Sequence, residues 1–458
     1  MYSKSLFIFR RDLRLSDNTG LIEALQKSQT VYPIFIFDTK QVTDNEFKSS
    51  NAIQFMLESL EDLHEQLKKK DATLECFYGE TLSILKNIIE TEDIDAVFVN
   101  EDYTPFAQKR DANIKKLCEE HHCAFESFSD YTLSPLKTLE KQSGGWYTVF
   151  TPFYNTAKTI PVSKPQECNT HNFAKTQRSN TISLTDVRMK ILPQENKSII
   201  VRGGRSNALT ILKQLQTHIS NYAIQRDYPH LQKTSLLSAH HKFGTISVRE
   251  SFHQTKNIPG LQTHFTRELY WRDFYLYIAY HFPKVFGEEF QEKYADIQWS
   301  YDEKLFKAWC EGKTGFPIVD AGMRQLNTTG YMHNRVRMIV ASFLIKDLLI
   351  DWRLGEKYFA QKLVDYDPSV NNGSWQWAAS TGCDAQPYFR IFNPWLQQKR
   401  FDVDCTYIKK WVPELRDCTA QEIHNIQNQR PITPIAYPTP IVDHAQQKEK
   451  ALAMFKSV

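Results

Sequence analysis

The chain has 458 residues, past the size at which a single hydrophobic core goes on growing, so two domains are expected. Hydrophobic residues at 41% and charged residues at 24% exclude a disordered chain, and no run of about 18 apolar residues is present to span a membrane. A net charge of +3 is too small to announce a nucleic-acid partner by itself; such a partner needs basic residues gathered on one face.

The N-terminus, MYSKSLFIFRRDLR, has an apolar stretch too short and too soon followed by arginine to be a secretory signal, so a cytoplasmic protein is expected. The eight cysteines are scattered without CxxC pairing, which points to free thiols in a reducing compartment and to neither a zinc ribbon nor a disulfide frame.

The first third alternates strand and helix. Short β-branched or aromatic runs at Leu6 to Phe9, Val31 to Phe37, Thr73 to Tyr78 and Ala96 to Val99 are separated by helical patterns, of which Ile53 to Lys69 is the clearest. That rhythm predicts a parallel sheet covered by helices, an α/β domain over residues 1–130. The turn after the first strand reads FRRDLRLSDN and carries no GxGxxG, so a dinucleotide site of the Rossmann type fails at its signature. Arg10, Arg11 and Arg14 are left equally open as solvated surface charge.

From about Ser129 to Ile200 the pattern dissolves into a polar stretch punctuated by Pro135, Gly144, Gly145, Pro152, Pro161, Pro165 and Pro193. So long a connection is read as an interdomain linker, residues 131–204, wrapping the surface. Residues 205–458 then form an all-α domain, with amphipathic segments at Ser206 to Ile219, Phe265 to Ala279, Tyr301 to Cys310, Val319 to Thr329, Arg335 to Leu349 and Glu356 to Asp365. After Pro431 the chain is Pro-rich and polar, and a loosely ordered tail is expected.

Four clusters in the helical part carry chemistry. Thr234-Ser235-Leu236-Leu237-Ser238, followed by Gly244-Thr245-Ile246-Ser247, offers hydroxyls and backbone N–H groups suited to phosphate, although helix capping is the plainer use of an isolated Thr-Ser step. On the helix ELYWRDFY, Glu268, Trp271, Arg272 and Tyr275 share one face; a carboxylate beside an indole suits a flat polar base, and a Glu268–Arg272 surface ion pair is the bland alternative. Met332 to Met338 places Asn334, Arg335 and Arg337 at the start of an apolar helix, where they can meet base edges and phosphates; His333 reads as structural. Finally, the stretch from Trp352 to Pro394 mixes Trp352, Trp375 and Trp377 with Asp365, Asp367, Asn371 and Asn372. Buried indoles need partners for their N–H groups, so this mixture suggests either a packing node or a site for something flat and polar.

In this order the blocks FRRDLRLSDN, RDYPHLQKTSLLS, ELYWRDFY, GYMHNRVRMIVASFLIKDLLIDWRLGEKYF and NNGSWQWAASTGCDAQPYFRIFNP resemble the DNA photolyase and cryptochrome family, most of all its class I cyclobutane pyrimidine dimer photolyases. The resemblance implies an α/β antenna domain joined to a helical domain holding FAD. It assigns Tyr222, Thr234, Ser235, Leu236, Leu237 and Ser238 to the phosphates and ribityl chain, Asp365 and Asp367 to the flavin ring and ribose, Arg337 as partner of Asp365, and Asn371 to the flavin N5. Trp375, Trp352 and Trp299 match the family's electron-transfer chain.

Glu268, Trp271, Arg272, Asn334, Arg335, Met338 and Trp377 match the pocket for a flipped-out dimer, with Arg390 and Gln397 facing the DNA backbone. The implied activity is light-driven repair of cyclobutane pyrimidine dimers in UV-damaged DNA, by electron transfer from excited FADH⁻. A signalling cryptochrome and a (6-4) photolyase are the alternatives; Asn371, the matched pocket and a short tail speak against the first, and Asn334-Arg335, where a (6-4) photolyase normally shows His, with NNGSWQWAAS, speaks against the second. Beyond its opening Asn100-Glu101, the loop NEDYTPFAQKRD carries no further Asn-Glu pair of the kind folate-binding relatives have, so a second chromophore is left as deazaflavin, flavin, folate or none. A monomer is expected by the same resemblance, nucleoid-associated in a bacterium and nuclear in a eukaryote.

Overall fold

The computed structural model describes every residue except 169–171, 176–177, 219–220, 262 and 429–435. Five parallel strands, β1 (Tyr2–Phe9), β2 (Ser28–Asp38), β3 (Glu75–Gly79), β4 (Ala96–Asn100) and β5 (Ala124–Phe128), lie in the order β3-β2-β1-β4-β5. Leu6 through Phe9 are buried on both faces, as a central parallel strand requires, and pair with Tyr32–Phe35 on one side and Val97–Val99 on the other. The helices α1 (Thr19–Lys27), α2 (Ser50–Lys68), α3 (Thr81–Glu92) and α4 (Pro105–Glu120) cover the sheet. The sequence pattern missed β5: its AFESF run places Glu126 and Ser127 on an edge strand, where polar residues blunt further pairing.

The strand order reverses between β1 and β4, and the turns after these two strands flank the crevice there. The arginines of the first turn are not solvated. Arg10 pairs with Asp111 at 2.9 Å, Arg14 with Asp130 at 2.5 Å, and Arg11 with Asp102 at 3.0 Å. Burial forces this: a guanidinium withdrawn from water must find carboxylates and carbonyls.

The connecting segment is packed and does not merely wrap. It forms α5 (Phe150–Ala157) and α6 (Leu184–Ile191); Phe150 and Phe153 enter the core of the helical part, while Phe173, Val187 and Ile191 enter that of the sheet.

The helical part includes α7 (Arg205–His218), α8 (Ser238–Phe243), α9 (Val248–Thr255), α10 (His264–His281), α11 (Glu303–Glu311), α12 (Pro317–Thr329), α13 (Asn334–Ser342), α14 (Trp352–Lys362), α15 (Pro368–Ala379), α16 (Pro394–Phe401) and α17 (His444–Lys456). The end of the expected segment Ser206 to Ile219 lies outside the described residues. The two parts meet where Phe55 of α2 stacks on Phe243 at 5.2 Å. Beside it Gly244, at φ 62°, lies so close to the first turn that a Cβ would fall 2.1 Å from the Arg11 carbonyl oxygen.

Two expectations are corrected. The single helix expected over Arg335 to Leu349 ends at Ser342 and widens into a π turn, Phe343–Asp347, which buries Lys346 against Ser380 and Asp347 against His444 at 2.5 Å. The tail is not loose throughout: Pro431 to Ile435 lie outside the described residues, but α17 follows, because Ala451 and Phe455, four residues apart, give it a buried stripe.

Candidate functional site: a cavity between four helices

A cavity of about 460 Å³ opens among α10, α13, α14 and α15, within the range of small-molecule and cofactor sites. From α10 come Glu268, Trp271, Arg272 and Tyr275; from α13, Asn334, Arg337 and Met338; from α15, Asn371, Ser374, Trp375 and Trp377. Each set recurs every three or four residues, so one face of each helix supplies one wall. Tyr222 and the Thr234–Ser238 turn close a further side through Thr234, Ser235, Leu236 and Ser238.

α15 is set firmly. Asp367 caps it by accepting from the Ser369 and Val370 N–H groups at 3.0 and 3.3 Å, and Pro368 opens its first turn. Gly355 of α14 lets the Trp375 ring approach, since a Cβ there would lie 2.2 Å from the indole.

The carboxylates are held by cations. Arg337 spans Asp365 at 2.9 and 3.2 Å, as expected. Asp367 meets Arg11 of the first domain and accepts from the Tyr131 hydroxyl at 3.0 Å. Burial alone would raise the Asp367 pKa, but Arg11, Lys242 and Arg272 hold it well below the usual carboxylate range. Lys242 is pushed down to about 8, by burial first and then by Arg11.

Asn371 donates its amide N–H to the Glu356 carbonyl oxygen at 3.1 Å. A carbonyl can only accept, so the amide orientation is fixed and Oδ1 is left for a ligand. Burial pushes the nearby Glu356 carboxyl up to about 7.

Several expectations change in detail. Glu268 pairs with Arg226 at 2.7 Å and not with Arg272; Arg272 donates to the Tyr131 carbonyl at 2.8 Å and lies 3.8 Å over its ring. The linker therefore claims Arg272 on the inner side of the cavity. One face of Trp271 is covered by Phe150, 3.7 Å away and nearly parallel, so the indole is a braced wall. Leu237 turns its side chain into the core and does not line the cavity. Thr245 and Ser247 serve structure, Thr245 bonding His240 at 2.8 Å and Ser247 forming a capping box with Glu250. His333 caps α13, accepting from the Arg335 N–H at 3.2 Å.

Arg335, Arg390, Gln397, Trp352 and Trp299 lie outside the lining. Arg335 pairs with Asp227 at 2.7 Å and lies 4.4 Å over Phe401 at the end of α16, the helix that carries Gln397; Arg390 is exposed. Trp352 is buried at the start of α14 and donates to Glu289 at 3.4 Å. Trp299 is half-buried against Phe455 at 5.9 Å, beside a bridge joining Ser300 to Ile350. Sequence reasoning missed Arg11, Tyr131, Phe150, Arg226 and Lys242; Arg11 alone carried a signal, as an arginine in a turn lacking the glycines of a nucleotide site.

A family model described as DNA photolyase matches residues 5–169, and one described as the FAD binding domain of DNA photolyase matches residues 265–457. A deoxyribodipyrimidine photo-lyase of Halobacterium salinarum is 37% identical, covering 98% of each chain. The chain belongs to the DNA photolyase family. Among solved structures, an archaeal photolyase of Sulfolobus tokodaii described with two FAD molecules is 43% identical, with a TM-score of 0.90 over 99% of this chain and 100% of that one. A class III photolyase of Agrobacterium tumefaciens is 36% identical, with a TM-score of 0.93 over 100% and 98%.

FAD fits the cavity by the chemistry of its lining. Hydroxyls of Thr234, Ser235 and Ser238 suit a diphosphate, Phe359, Leu363 and Trp375 suit a flat ring system, and Asn371 Oδ1 offers an acceptor. The lining also holds four cations, Arg226, Lys242, Arg272 and Arg337, against the carboxylates of Glu268, Asp365 and Asp367, which favours an anionic guest.

Proposed function

We propose that the protein is a light-driven deoxyribodipyrimidine photo-lyase that binds FAD in the helical cavity and splits cyclobutane pyrimidine dimers in DNA. The observation that carries this reading is that Glu268 and Trp271 of one helix and Asn371, about 100 residues further along the chain, line one cavity. FAD, when bound in its reduced form, would supply the light-driven one-electron chemistry for the dimer, with no net redox change.

The chain's own residues bind, orient and screen. Asn371, whose Nδ2 is held by the Glu356 carbonyl, would offer flavin N5 an acceptor and no hydrogen, which suits the reduced, N5-protonated form. Glu268, steadied by Arg226, faces the pyrimidine edge, while Trp271, braced by Phe150, and Trp377 flank the flipped-out pair. Arg335, Arg390 and Gln397 are assigned to the DNA backbone, which positions the strand without reading its sequence. Trp375, Trp352 and Trp299 are assigned to the relay that restores the reduced flavin.

Action as a monomer rests on the family resemblance. Among the described residues no helix is long and apolar enough to cross a membrane. The substrate sets the compartment: the cytoplasm, on the nucleoid, or the nucleus in a eukaryote. A second chromophore, such as the second FAD of the Sulfolobus relative, is left open among deazaflavin, flavin and folate.

The test is to illuminate the reduced holoprotein with oligonucleotides bearing either a cyclobutane thymine dimer or a (6-4) product. Loss of the cyclobutane lesion alone, only in light, is expected. Loss of the (6-4) product, or of neither lesion, contradicts the assignment.

A further inference from the structure

Arg226 and Asp227 are neighbours in the chain at the end of a single helical turn, Tyr222–Gln225, yet their side chains part. Arg226 lines the cavity and pairs with Glu268 of α10 at 2.7 Å, whereas Asp227 stays outside the lining and pairs with Arg335 of α13 at 2.7 Å. The turn is pinned, with Tyr222 buried and the N–H groups of Arg226, Asp227 and Tyr228 donating to carbonyls three or four residues back. Two consecutive residues therefore tie together two walls of the cavity mouth.

Of the outer pair, the cation is the more enclosed partner. Phe401 lies 4.4 Å from the Arg335 guanidinium, and Arg335 Nε is buried with no partner among the described residues. A guanidinium has five N–H donors, so the bond to Asp227 leaves donors over. The Asp227 side chain is 34% exposed against 20% for Arg335, so a group arriving from solvent meets the carboxylate before the cation.

That order matters for a polyanion. An undamaged duplex presents a regular line of phosphates, which the carboxylate repels while Arg335 stays paired. A dimer turned out of the stack draws its own strand inward, and a flanking phosphate then reaches the donors that Asp227 leaves free, without breaking the pair. We propose that Asp227 is a specificity-determining residue, which screens Arg335 from the backbone of undamaged DNA and admits the strand of a flipped-out dimer. The proposal rests on the reading of Arg335 as a contact to the DNA backbone. Discrimination of this kind comes from making the wrong partner bind worse.

The test measures binding in the dark by the FAD-loaded protein of two duplex oligonucleotides, one undamaged and one dimer-bearing, over a range of NaCl concentrations. Asp227→Asn keeps an acceptor for Arg335 and removes the charge. It is expected to tighten binding of the undamaged duplex about fivefold, and that of the dimer-bearing duplex by less than about twofold. For the undamaged duplex the slope of log K against log salt should steepen by about 1, the mark of one phosphate newly contacted. Asp227→Glu restores the charge and should keep the native ratio of affinities, and Arg335→Gln added to Asp227→Asn should cancel both gains. Undamaged-duplex affinity unchanged or lowered in Asp227→Asn, or a native ratio retained there, overturns the screen. Unaltered dimer binding in Arg335→Gln alone removes the reading of Arg335 and the screen with it. Flavin absorbance reports the fold of each variant, and substitution of Asp227, outside the cavity lining, should leave it unchanged.

Discussion

Two cavities among the described residues are lined by charged side chains, and they are opposite in design. The helical one has room of about 460 Å³ and keeps capacity for a guest: Asn371 Oδ1 and a surplus of cations. The other lies at the switch point of the sheet, among Arg10, Arg11, Asp12, Asn100, Glu101, Asp102, Asp130 and Tyr131, and has room of about 10 Å³, no more than one water. There the charges cancel internally, through Arg10–Asp111, Arg11–Asp102 and Arg14–Asp130. The first cavity is a preformed site for a guest. The second, as it stands, is a joint that admits no aromatic chromophore, and it holds the first in place through Arg11 and Asp367.

The sharpest way to break this contrast is at the residue that both share. Asp367→Ala removes the cap of α15 and leaves Arg11 with Asp102 as its one paired carboxylate among the described residues, so unfolding in denaturant should become easier by about 4 kcal/mol, with loss of bound flavin. Retention of flavin with unchanged stability would mean that the joint does not support the cavity.

Next comes Glu356, whose burial behind Asn371 raises its folded pKa from 4.5 to about 7. A raised acid favours the folded state below the unfolded pKa, and that contribution is lost as pH rises through the folded value. Stability should therefore fall between about pH 4.5 and 7, by at most about 3 kcal/mol from this group. Glu356→Gln should flatten that slope, and denaturation profiles across this pH window check it.

A smaller effect belongs to the open side of the cavity. Trp271→Ala removes the braced wall and should weaken binding of a dimer-bearing oligonucleotide by about 2 kcal/mol, about thirtyfold, with undamaged DNA hardly affected. Competition binding in the dark measures both. The smallest effect is expected at the joint's rim. Arg10→Ala leaves Asp111 with Arg110 and should cost only about 1 kcal/mol, with flavin content and repair unchanged.

What the sequence disclosed follows the same division. Strands β1 to β4 were legible because their apolar runs are local; Glu268 and Trp271 were legible from helical spacing, and Asn334 and Asn371 from the motifs that carry the family resemblance. The joint was not, because nothing near Arg11 in the chain announces a carboxylate 356 residues away, and nothing near Trp271 announces Phe150. Glu268 shows the limit from the other side: its spacing from Arg272 satisfies a helical ion pair, yet Tyr131 and Arg226, brought in by the fold, take the two partners. The π turn and α17 escaped for the same reason, since Asp347 and His444 explain each other only once they touch.

The claim beneath all of this is that flavin and damaged bases share one cavity, in contact. The fluorescence lifetime of the reduced flavin, with and without a saturating dimer-bearing oligonucleotide, tests it most directly. Shortening by the dimer and none by the undamaged oligonucleotide is the predicted result; a lifetime unchanged by bound dimer would contradict it.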